Sequence, residues 1–124
     1  SSIYFADPET FAIGGSLKVK SHNGAEIAGL NELELVRGKL YANIFTTRFI
    51  VRIDMASGCV DGVADLAVLW SAMTPAERAK VDGGRENVLN GIAYDDKSGL
   101  FYLTGKLWPV IFVGRFSERA PPPR

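Results

Sequence analysis

One cysteine, Cys59, and one histidine, His22, are all that 124 residues offer of the side chains most used to hold transition metals. A lone cysteine excludes an internal disulfide. A lone histidine beside Asn23-Gly24, with no second ligand near it, reads as a solvated loop residue. No charge of either sign is in excess: 14 Lys and Arg balance 14 Asp and Glu, so nothing points to nucleic acid as a partner. No apolar run approaches the ~20 residues of a membrane-spanning helix. The first residues, Ser1-Ser2-Ile3, read as strand and not as a signal peptide. Apolar residues are not scarce: at 47% they suffice for a packed core and argue against disorder.

The pattern within those residues is a repeated β-hairpin. Leu33 and Leu35 alternate with Glu32 and Glu34, the period of a half-buried strand with its glutamates on the solvent side. Arg37-Gly38-Lys39 is a short turn, and Leu40 to Phe45 is the returning strand. The hairpin recurs as Leu89 to Tyr94, a turn at Lys97-Ser98-Gly99, and a return from Leu100 to Lys106. Setting Gly38 on Gly99 sets Phe45 on Lys106, so equivalent strand ends carry an aromatic ring and an ammonium. The next part repeats too. Phe49 to Asp54 matches Ile3 to Asp7, each strand ending in Asp and a tight turn, and each is followed by an outer strand. Four antiparallel strands at a period of about 45–60 residues are the signature of a propeller blade.

In chain order, two strands around Pro8-Glu9-Thr10 come first, then a polar loop over 20–29, then a complete blade with strands near 30–36, 40–46, 49–54 and 59–63. Cys59 is expected to face a sheet neighbour as a small hydrophobe. A helical insertion follows near 64–81: a short helix from Ala64 to Trp70, then a second over about 75–81. Thr74, Pro75 and Glu77 supply the cap, the first-turn proline and the capping-box carboxylate of that second helix. Trp70 reads as the anchor of the insertion. Three strands near 88–94, 100–105 and 109–116 begin another blade. Pro121-Pro122-Pro123 cannot join a ladder, which makes 119–124 a Pro-rich tail after a propeller domain over 1–118. The fold expected is therefore all-β, about two and a half four-stranded antiparallel blades. About nine strands do not close a ring, which needs about sixteen or more, so a second polypeptide or a second copy is expected to complete it.

Asn31-Glu32-Leu33-Glu34, Lys39 to Asn43, Ile50 to Asp54, Val88 to Asp95 and Thr104-Gly105-Lys106-Leu107-Trp108-Pro109 stand in order and at fitting spacing. Together they resemble the glutamine cyclotransferases of the plant and bacterial type, from about Ile3 to about Phe116. The resemblance implies the C-terminal half of a five-bladed β-propeller. It implies a glutaminyl-peptide cyclotransferase, which turns the N-terminal glutamine of a peptide into pyroglutamate and releases ammonia. It also implies a secreted, periplasmic or secretory-pathway location, a peptide with N-terminal Gln as partner, and no metal or other cofactor.

That chemistry needs a neutral α-amine, a polarised amide carbonyl and a proton for the leaving group. By the same resemblance Lys106 falls on the pocket lysine that stabilises the oxyanion, and Asn31 on a pocket asparagine that holds the substrate amide. Phe45 stands where the family has tryptophan, keeping an aromatic wall without the indole N–H. Trp108 is a further candidate substrate contact, or a packing residue. The family's catalytic glutamate lies in blades that this sequence does not contain, and Glu32 and Glu34 do not replace it by motif. The alternative is a propeller that has lost its chemistry and serves as a binding or structural module.

Overall fold

The computed structural model describes residues 1–82, 84 and 86–118. Among them the chain runs β1 (Ser2–Ala6), β2 (Ile13–Lys18), β3 (Leu30–Val36), β4 (Lys39–Ile44), β5 (Phe49–Asp54), β6 (Val60–Asp65), α1 (Ala67–Ala72), α2 (Pro75–Asp82), β7 (Leu89–Asp95), β8 (Leu100–Gly105) and β9 (Phe112–Gly114). The strands form three antiparallel sheets of two, four and three strands, each in chain order: β1-β2, β3-β4-β5-β6 and β7-β8-β9. The Pro-rich tail expected over 119–124 lies outside the described residues.

The middle strands of the central sheet, β4 and β5, are covered on both faces, which explains their near-continuous apolar character. Leu40, Ala42, Val51 and Ile53 turn to one side, where Ile3 of β1 and Val19, just after β2, meet them. Ile50 and Tyr41 turn to the other and pack with Leu89, Ile92, Phe101 and Leu103 of the third. Phe116 closes this second core, stacking on Tyr41 and meeting Phe101 edge-on.

Two expectations about the hairpin reverse. Leu33 and Leu35 are exposed, at 44% and 63%, whereas Glu34 is partly buried and its carboxylate accepts the Tyr94 N–H at 2.8 Å. The alternation is present, but the environments of its two faces are the reverse of those expected. Leu33 and Leu35 pair with Ala42 and Leu40 and share their face. The sheet opposite that face has only β1 and β2, so the leucines of β3 stand uncovered. Cys59 is likewise exposed, although its backbone is paired: it bridges Lys20 in parallel and its carbonyl accepts the Asp54 N–H at 2.9 Å.

The strand β6 runs on through Asp65, so α1 begins at Ala67 and not at Ala64. Pairing of Val63, Ala64 and Asp65 with Val51, Ile50 and Phe49 overrides local helical composition. Arg48 then clamps Asp65 through two bonds of 2.7 and 3.0 Å, and Asp65 accepts the Ala67 N–H at 3.0 Å. The second helix begins with the expected capping box. The Thr74 hydroxyl accepts the Glu77 N–H at 3.3 Å while the Glu77 carboxylate accepts the Thr74 N–H at 2.7 Å.

One turn is used three times. The residues four after Asp7, Asp54 and Asp95 each donate their N–H to that aspartate's carbonyl at 2.8 Å, and adopt positive φ. Those residues are Phe11 (φ 58°), Gly58 (φ 74°) and Gly99 (φ 68°). Hydroxyls of Thr10, Ser57 and Ser98 donate to the same aspartate side chains. Hydrogen bonds hold all three carboxyls below the usual range: the Thr10 N–H first for Asp7, the Ser57 hydroxyl for Asp54 and the Ser98 hydroxyl for Asp95.

Candidate active site

The hairpin equivalence holds atom for atom at the end opposite these turns. Phe45 donates its N–H to the Gly29 carbonyl at 2.7 Å, and Lys106 donates its own to Val88 at 2.9 Å. Each follows the last residue of its strand, β4 or β8. Each is followed by a corner in the left-handed region, Thr46 at φ 66° and Leu107 at φ 56°. A β-branched threonine there is a strained choice, and strain of this kind concentrates at functional sites. The Lys106 ammonium lies 5.5 Å from the centre of the Phe45 ring, so the two equivalent side chains reach each other between blades. Lys106 also stands 4.0 Å from the Glu86 carboxylate.

Asn31 lies in a bulge of β3, where the register with β4 shifts between Leu30 and Leu33. The same bulge occurs in β7 between Leu89 and Ile92 and contains Asn90. Asn31 Nδ2 donates to Asn90 Oδ1 at 2.9 Å. Beneath them Asn43, 0% exposed, ties both bulges together. Its Oδ1 accepts the Glu32 N–H at 2.7 Å, and its Nδ2 donates to the Leu89 carbonyl at 2.8 Å. It is the only buried polar side chain among the described residues. Asn31, Phe45 and Lys106 thus share one end of adjacent blades.

Trp108 has a different place. Its indole N–H donates to the Asn87 carbonyl at 2.8 Å and its ring lies on Gly105, where any Cβ would collide with it. It meets Phe112 edge-on, as part of the second core. Its indole donor is thus engaged by the protein, although one side of the ring borders a pocket of about 530 Å³. Thr46, Arg48, Trp70, Ser71 and Asp82 line this pocket with it, between the helical insertion and the blades. Trp70 is partly buried there.

The sequence reading missed Asn43 and Asn90. Asn90 had a signal, since the hairpin repeat places it on Asn31. Asn43 had a weaker one, a carboxamide at the end of an otherwise apolar strand.

The strongest charge cluster, by contrast, sits toward the other end, where Asp61 bonds Lys39 at 2.8 Å and Arg52 at 2.7 Å. Burial pushes the Asp61 carboxyl up, but those two cations outweigh it and hold it low. Among the described residues no three His, Cys, Asp or Glu side chains come together as a metal-ligand group.

Antiparallel sheets in chain order, one of them complete with four strands, packed face to face with the first strands β3 and β7 adjacent, define part of a β-propeller. The glutamine cyclotransferase family profile matches residues 1–116, and the chain belongs to that family. It is 32% identical over 114 residues to a glutaminyl-peptide cyclotransferase of Arabidopsis thaliana, a match covering 90% of this chain and 33% of that protein. The crystal structure of Myxococcus xanthus glutaminyl cyclase matches with a TM-score of 0.72 and 38% identity, over 90% of this chain and 46% of that one. The chain therefore spans a third to just under half of the length of these relatives.

Proposed function

We propose that this chain supplies the substrate-holding part of a glutaminyl-peptide cyclotransferase. The observation that carries the reading is the meeting of Lys106 and Phe45, with Asn31 beside them, at equivalent ends of neighbouring blades. In the reaction the α-amine nitrogen of an N-terminal glutamine attacks its own γ-carbonyl carbon. The carbonyl oxygen becomes an oxyanion, which collapses to a lactam and expels the γ-nitrogen as ammonia. The proton lost by the α-amine goes to that leaving group. Lys106 places an ammonium at the oxyanion, and such a donor is worth about 10²–10³ in kcat. Phe45 forms the wall on which Lys106 rests. Asn31 holds the γ-amide by hydrogen bonds.

Proton transfer requires a further acid/base group, which we assign to blades beyond this chain. Leu33 and Leu35 mark where one missing neighbour docks, and burying them there would follow from the hydrophobic effect alone. A second polypeptide or a second copy of the chain fits that face. Ammonia release from a peptide with N-terminal glutamine tests the reading. Turnover that falls about 10²–10³-fold in Lys106→Ala supports it. A well-folded, complete ring with no turnover leaves a binding or structural module.

A further inference from the structure

The helical insertion and the blade ends enclose a pocket of about 530 Å³, a size typical of small-ligand sites. Trp70, the largest side chain of the insertion, lines it and packs into neither hydrophobic core. Among the described residues its indole N–H has no protein acceptor and its ring no aromatic neighbour, whereas the Trp108 indole is held by Asn87 and meets Phe112 edge-on. A tryptophan with an apolar body and an unengaged N–H is the kind enriched at binding surfaces. Leu66, Val81 and Leu89, all buried, add apolar wall to the same lining. Arg48 is the one cation among the described residues of the lining, and Asp65 already holds it through two bonds. The pocket thus offers apolar surface and no unmet positive charge.

The pocket is continuous with the strand ends that carry Lys106 and Phe45. Thr46, the residue after Phe45, lines it from its strained left-handed corner. Val88 lines it too, and its carbonyl takes the Lys106 N–H at 2.9 Å. An N-terminal glutamine is the end of its chain, so the rest of the peptide leaves the site on one side only. The second residue begins about 3.8 Å from the first, Cα to Cα, so its side chain falls within reach of the neighbouring surface. We propose that this pocket is the subsite for the residue after the N-terminal glutamine. It selects aromatic and large aliphatic side chains there, with Trp70 as the specificity-determining residue. The assignment of the peptide rests on the function proposed above.

Two measurements on the assembled protein test this. The first compares ammonia release from Gln-Phe-Ala amide and Gln-Gly-Ala amide. Wild type should favour the phenylalanine peptide about 10-fold in kcat/KM, the lower end of what burying that ring supplies, because the pocket is open on one side. Trp70→Ala should bring the ratio to about 1–2, through a higher KM for the phenylalanine peptide, and Trp70→Phe should keep part of the preference. Ser71→Trp fills the pocket from α1 with Trp70 in place, and should also lower the ratio. A wild-type ratio near 1, or a wild-type ratio retained in either folded variant, overturns the subsite while leaving the cyclotransferase reading intact. The second measurement needs no turnover. Pyroglutamyl-Phe-Ala amide should shift the Trp70 indole N–H signal in a ¹H–¹⁵N spectrum, assigned by its loss in Trp70→Phe, and the glycine analogue should not. An indole signal that the phenylalanine peptide leaves in place overturns the pocket's role. A wild type that releases no ammonia from either peptide removes the function proposed above, and the indole signal alone then decides whether the pocket takes an aromatic side chain.

Discussion

Replacing Asn43 by leucine should break the junction between neighbouring blades although it leaves no cavity. Asn43 is fully buried and makes one hydrogen bond to each side, to the Glu32 N–H and to the Leu89 carbonyl. The Leu89 bond is buried, so losing it leaves an unsatisfied carbonyl at about 1–3 kcal/mol. The Glu32 bond is partly buried, water reaches part of it, and about 0.5–1.5 kcal/mol is lost there. The sum is about 1.5–4.5 kcal/mol, which at about 4 °C per kcal/mol lowers Tm by about 6–18 °C for a chain of this length. Asn43→Ala adds a small cavity and should cost slightly more. Asn43→Asp keeps the acceptor but points a carboxylate at the Leu89 carbonyl. Burial there raises its folded-state pKa above the unfolded value, so the variant should be least stable at neutral pH and recover on acidification, when the protonated acid donates to Leu89. Calorimetry or urea unfolding of the three variants is the assay. Asn43→Leu within about 0.5 kcal/mol of wild type would refute the reasoning, since packing alone would then account for the junction.

Phe11 occupies a left-handed position that the two equivalent turns give to glycine, and it is 78% exposed. Phe11→Gly relieves about 1–2 kcal/mol of backbone strain against about 0.5–1 kcal/mol of added chain entropy, so urea unfolding should show a net gain of about 0.5–1 kcal/mol. Asp7, Asp54 and Asp95 titrate below their unfolded range, so their contribution is present above about pH 4 and is lost as pH falls through the folded values. The urea midpoint should fall as pH drops below about 4, and less steeply in Asp95→Asn. Phe45→Leu removes the ring beneath Lys106, an interaction of about 0.5–1 kcal/mol, and should cut kcat/KM about 2- to 5-fold, while Phe45→Trp should not.

The blade pattern was legible because strand alternation, Asp-ended turns and the hairpin repeat are local and occur more than once. The alignment of Phe45 on Lys106 needed only the two turn glycines, and the hydrogen bonds to Gly29 and Val88 reproduce it. Leu33 and Leu35 were misplaced for a physical reason: alternation tells which residues share a face, not whether anything covers that face. Glu34 shows the converse, a charged residue drawn inward because a neighbouring strand offers it the Tyr94 N–H. The end of β6 was misjudged because Val63, Ala64 and Asp65 gain ladder partners that no local window contains. Trp108 was ambiguous in the sequence, and its bond to Asn87 and its seat on Gly105 show how firmly it is tied into the protein. Asn43 and Asn90 act through partners 46 and 59 positions away, separations that no periodicity reports.

The measurement that bears most directly on the account is ammonia release from a peptide with N-terminal glutamine, followed in wild type and Lys106→Ala with the complete propeller assembled. The account predicts enzymatic turnover in wild type, a product lighter by one ammonia, and a fall of about 10²–10³-fold in kcat in the variant, with the fold intact by circular dichroism. Turnover that survives Lys106→Ala unchanged would contradict the placement of the oxyanion at this strand end.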